Sequence, residues 1–75
     1  MLSFSKFKKD DPEVKEFAEN LVDVIFFTED DSTLKFGFFQ KVDGEFYIYY
    51  KDIIGKHYAE DLENCYVCVI NVNWE

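Results

Sequence analysis

The sequence predicts an α+β fold, with one N-terminal helix packed on an antiparallel sheet of about four strands. Three observations carry this reading. Val14, Phe17, Ala18 and Leu21 recur at helical spacing behind an Asp-Pro start, aromatic and β-branched runs flank Asp43-Gly44, and residues 65–74 alternate strictly. A small curled β-barrel with one helix is the alternative arrangement of the same elements.

Residues 1–9, MLSFSKFKK, form a basic N-terminal arm. Lys6, Lys8 and Lys9 stand there without an acid, and Phe4 and Phe7 are apolar enough to dock it. Residues 10–75 are one acidic α+β domain. Asp10 or Asp11 caps the helix, Pro12 suits its first position, and Glu13 and Glu16 favour the positive end of its dipole. The helix ends near Asn20, which tolerates the left-handed conformation, and a strand starts near Val22 where β-branched and aromatic residues accumulate. Thr28 to Thr33, TEDDST, is the polar loop into a hairpin.

Leu34 to Lys51 reads as that hairpin, turning at Val42-Asp43-Gly44. A three-residue loop sets Lys41 against Glu45 and sorts the side chains. Leu34, Phe36, Phe38, Phe46, Ile48 and Tyr50 then take the inner face, and Phe39, Tyr47 and Tyr49 fall among charged residues on the outer one, with Tyr49 over Gly37. Residues 52–64 carry weaker signals: Ile53, Ile54 and Gly55 extend the strand or leave it, and Tyr58 to Leu62 suits a helical turn. In CYVCVINVNW, Tyr66, Cys68, Ile70, Val72 and Trp74 share one face of a last strand.

Seventy-five residues make one domain, near the size at which roughly 60–65% of the unfolded chain's surface is buried. Hydrophobic residues at 48% and aromatics at 20% are enough for a packed core. The net charge of -8, with no arginine, argues against direct binding to a phosphate backbone. The first residues lack a signal peptide's apolar core and no apolar run is long enough to span a bilayer, so a cytoplasmic protein without membrane contact is expected. Abundant Phe, Tyr and Lys beside three Gly, one Pro and no Arg suit an A/T-rich genome, phage-like or bacterial.

No motif is specific enough to name a family or a reaction. Cys65 and Cys68 form C-x-x-C, but on a strand residues three apart point to opposite faces, beyond disulfide reach. With His57 as the one histidine, no zinc set is completed, and Glu29-Asp30-Asp31 lacks the pattern of a calcium loop. The expectation is therefore no enzyme, no catalytic residue, no metal and no cofactor.

Two candidate partner surfaces remain. One is acidic: Glu13, Glu16 and Glu19 along the helix, Glu29, Asp30 and Asp31 in the loop, and Glu60, Asp61 and Glu63 before the last strand. Carboxylates on a rigid frame occupy positions that phosphates would take, so the leading expectation is a small inhibitor or regulator. It would block a nucleic-acid-binding host protein of restriction, CRISPR or transcription machinery by DNA mimicry. The other is the aromatic face, Phe39, Tyr47 and Tyr49, through which a structural protein would form a homo-oligomer.

Overall fold

Asp11 and Pro12 start helix α1 (Pro12–Glu19), with the Asp11 carboxylate accepting the Glu13 N–H at 2.9 Å. The computed structural model describes residues 2–71, so Val72 and Trp74, expected on the last strand, lie outside the described residues. Val14, Phe17 and Ala18 are buried on one side of α1. Its C-terminus closes as a Schellman turn: the Leu21 N–H donates to the Ala18 carbonyl at 3.2 Å and the Val22 N–H to the Phe17 carbonyl at 3.0 Å. Leu21, not Asn20, takes the left-handed conformation, with φ 49°. That rotation turns Leu21 out of the helix face on which its spacing placed it and leaves it 53% exposed, while Val22 enters the core.

Five strands follow: β1 (Asp23–Thr28), β2 (Asp31–Val42), β3 (Glu45–Lys51), β4 (His57–Asp61) and β5 (Cys65–Asn71), with a 3-10 turn (Leu62–Asn64) before the last. They form one antiparallel sheet in the order β4-β3-β2-β1-β5. The α+β class with one helix on an antiparallel sheet is as the sequence predicts. The extra strand is β4, in the stretch read as a helical turn, and the sheet stays open with β4 and β5 at its ends.

The hairpin turn differs from expectation. Asp43 and Gly44 alone form it, both left-handed at φ 52° and 81°, so that Val42 faces Glu45 and Lys41 faces Phe46. This is the primed two-residue turn whose twist matches the strands. The slip exchanges the faces of β2: Phe39 joins Phe46 and Ile48 inside, and Phe36 and Phe38 move outside. The expected register rested on keeping lysines off the inner face. Lys41 and Lys35 are tolerated there because their stems lie over aromatic rings, with Nζ 5.5 Å from the Phe46 centroid and 5.6 Å from that of Phe26.

β2 serves two neighbours in turn. Its first half pairs with β1 as far as Phe38, and its second half, from Phe38 to Val42, pairs with β3. Gly37 sits just before the exchange. A Cβ there would lie 2.6 Å from the Tyr49 carbonyl oxygen and 3.0 Å from Ile48, so only glycine lets the strands approach this closely. α1 covers the inner face, where Val14, Val24, Phe26, Phe39, Ile48 and Leu62 are fully buried.

The arm docks on the same sheet. The Ser5 N–H donates to the Val67 carbonyl at 2.9 Å and the Val67 N–H to the Ser5 carbonyl at 2.8 Å, which closes the open side of β5. Phe7 then passes beneath α1, its ring 5.9 Å from those of Phe17 and Phe39.

Candidate interaction surface

Strand alternation fixes which side chains the helix cannot cover. With Val24, Phe26, Phe46 and Ile48 turned inward, Ile25, Phe27, Phe36, Phe38, Tyr47 and Tyr49 stand on the outer face. Phe36 is 73% exposed and Leu34 and Ile70 are about half exposed, whereas Phe38, Tyr47 and Tyr49 are half-buried against one another. The Phe38 and Tyr49 rings stack at 6.1 Å, and Tyr47 meets Tyr49 edge-on at the same separation. The N-terminal arm shields one end of this face. Phe4 sits edge-on to Phe27 at 5.2 Å, and Lys6 lies over the Tyr66 ring at 5.0 Å.

Of the aromatic candidates, Tyr47 and Tyr49 do lie on the outer face. Phe39 does not: it is fully buried, 5.1 Å from the Phe17 ring, because the two-residue turn brings it to the inner side. Tyr49 packs on Phe38, and its carbonyl oxygen is the atom nearest to where a Cβ at Gly37 would stand. Phe36, assigned to the core by the longer loop, takes its place as the most exposed aromatic side chain among the described residues.

Where β2 changes neighbour the strands part. Tyr50 and Lys51 pair with β4 but not with β2, and an open cleft of about 380 Å³ lies between them and Phe36. Asp23, Phe38, Tyr49 and His57 also line it. His57 is an exposed residue at the start of β4, beside Lys51.

Next to this cleft is a feature the sequence signalled only weakly. Ile53 and Ile54 do not continue β3. They form the tip of the β3–β4 hairpin, 101% and 82% exposed. The tip is well braced. The Asp52 carboxylate accepts the N–H groups of Ile54 at 3.0 Å and Lys56 at 2.9 Å and the Tyr58 hydroxyl at 3.2 Å, while Gly55, at φ 87°, turns the chain back. Asp52 followed three residues later by Gly55 was the available sign of this turn.

The acidic residues divide into groups. Glu13, Glu16 and Glu19 are exposed on the solvent side of α1. Glu29, Asp30 and Glu60 meet around a polar cleft of about 280 Å³, with Lys6 and Asn64 in its wall. Lys6 lies 3.9 Å from Glu29, and Lys9 lies 3.0 Å from Glu45 and 3.5 Å from Asp61, its N–H also donating to Glu63. The basic arm thus rests on the acidic body. The pKa of Lys9 is raised, first of all by the hydrogen bond its ammonium donates to Glu45. Asp31 is held below the usual carboxylate range, chiefly by the Thr33 N–H and then by Lys35, so it acts as a local cap. Asp61 caps the 3-10 turn through the Glu63 N–H, and Asp30 accepts the Thr28 hydroxyl.

The thiols separate as strand geometry requires. Cys65 is fully buried on the inner side, and burial pushes its thiol up to about 12. Cys68 pairs with Ile25 on the outer side. Among the described residues no three His, Cys, Asp or Glu side chains converge as a metal site would require, and no helix is long and apolar enough to cross a membrane. No protein-family model, curated protein or solved structure matches this chain.

Proposed function

We infer that this is a small non-enzymatic protein-binding module, whose partner surface is the outer aromatic face of the sheet extended by the Ile53-Ile54 tip. The observation that carries the reading is Phe36, 73% exposed beside an open cleft and next to a rigidly braced pair of exposed isoleucines. Each isoleucine gains about 1.5–3 kcal/mol on full burial, and a tip already held by Asp52 loses little freedom on docking. The test is capture from a lysate of the source cell by immobilised wild type, by Phe36→Ser with Ile54→Ser, and by Glu13, Glu16 and Glu19→Gln. A partner held by wild type, lost with the first variant and kept at high salt agrees with this reading.

A second reading is favoured by α1. Its three carboxylates are spread along the exposed side of the helix, and the arm's ion pairs fall on Glu29, Glu45 and Asp61 instead. As an inhibitor mimicking DNA, plausible for a phage-encoded cytoplasmic protein, it would occupy the cationic groove of a nucleic-acid-binding host protein. Capture that ignores Phe36→Ser but falls with the glutamine substitutions and with salt decides for this alternative.

A further inference from the structure

The two ends of the sheet are finished differently. At β5 the arm supplies a pair of backbone hydrogen bonds through Ser5. At β4 no further strand is paired among the described residues. Natural sheets protect such an edge with short strands, charged side chains, proline or a bulge. His57–Asp61 is short but has no lysine or proline, its acids Glu60 and Asp61 stand at one end, and its register with β3 runs without a shift. The strand is therefore regular and able to pair on its open side.

We propose that β4 is a self-pairing edge, on which a second copy of this chain adds its own β4 antiparallel to join two five-stranded sheets. The sequence HYAED is complementary to itself in that orientation. With Ala59 opposite Ala59 on the two-fold axis, His57 faces Asp61 of the second copy and Tyr58 faces Glu60, each pair occurring twice. Ala59 is exposed and small, which permits close approach at the centre. Asp61 contacts Lys9 and the Glu63 N–H within its own chain and stays half-exposed, so its carboxylate remains available at the rim. Lys51 and Lys56, near the start of the strand, approach the carboxylates at the end of the second copy's strand, and this offsets part of the repulsion between two chains of net charge -8. An edge of five residues makes a weak dimer that depends on concentration. The proposal stands apart from binding through the outer face.

The experiment is sedimentation velocity with light scattering over a concentration series, in about 0.15 M salt where the screening length is about 8 Å. For wild type the mass rises from 9.0 kDa towards twice that value. Ala59→Lys, which sets two ammonium groups face to face, and His57→Asp, which sets carboxylate against carboxylate, each weaken the dimer by roughly tenfold or more. His57→Lys keeps it. Circular dichroism checks that the variants fold, and amide exchange over residues 57–61 of wild type slows as concentration rises. A wild type that stays at 9.0 kDa throughout, or a dimer that survives Ala59→Lys, overturns the proposal. A dimer lost with Phe36→Ser and kept with Ala59→Lys also overturns it and places self-association on the outer face.

Discussion

The two halves of the sheet are built from similar residues and stabilised in different ways. The half made of β1, β5 and the first part of β2 is closed by a distant segment, since Ser5 pairs with Val67 and Phe4 packs on Phe27, while Phe7 crosses to Phe17 and to Phe39 in the second part of β2. The half made of β3, β4 and the rest of β2 relies on α1 above it and on local turns at Gly44 and Asp52, and its last strand is bare. A sheet edge is thus dangerous or useful according to what lies beside it. In this chain a basic arm with two phenylalanines secures one edge, while the other carries His57, Tyr58, Ala59, Glu60 and Asp61 with no strand beside it among the described residues.

The contrast breaks most severely at Phe7. Phe7→Ala removes a half-buried ring from beneath α1 and loosens the arm, with an expected loss of about 2–3 kcal/mol in urea denaturation and faster exchange of the Val67 amide. Gly37→Ala attacks the junction of the halves. Its methyl group has no room beside the Tyr49 carbonyl, and a net loss of about 2 kcal/mol is expected because the clash outweighs the smaller gain in strand propensity. Ser5→Pro removes one hydrogen bond of the seal and costs about 1 kcal/mol. It also leaves β5 open, so association that grows beyond a dimer is the outcome to watch in light scattering. Leu21→Gly acts in the other direction: it relieves a left-handed leucine and raises the unfolding free energy measured in urea by about 0.5–1 kcal/mol.

The smallest effect at neutral pH comes from Cys65, whose ordinary value of 9.0 is pushed to about 12 by burial. The unfolded chain releases this proton first, so its contribution is complete below pH 9 and is lost as pH rises from 9 towards 12. Cys65→Ala flattens that alkaline decline in a denaturant series.

Legibility followed how local each determinant is. The start of α1 was readable because Asp11, Pro12 and the 3.6-residue spacing lie within a few positions of one another. The register of the hairpin was not, because apolar residues occupy both faces and the deciding facts, Lys41 over Phe46 and Gly37 against Tyr49, are contacts between strands. β4 escaped notice because HYAED has no hydrophobic alternation, as suits a strand exposed at an edge. Of the candidate surfaces, Tyr47 and Tyr49 were correctly placed by parity on β3, which the turn does not alter. Phe39 and Phe36 changed places with the register, and the isoleucine tip depended on hydrogen bonds to one aspartate.

The pairing of Ser5 with Val67 also dictates when the sheet can be finished during synthesis. The arm is made well before β5 and cannot pair with it until that strand has emerged, so for most of translation the backbone of Ser5 has no strand to bond. A nascent chain stalled after β4 would display an acidic hairpin and a loose basic tail together, and chaperone contact is to be sought on that tail.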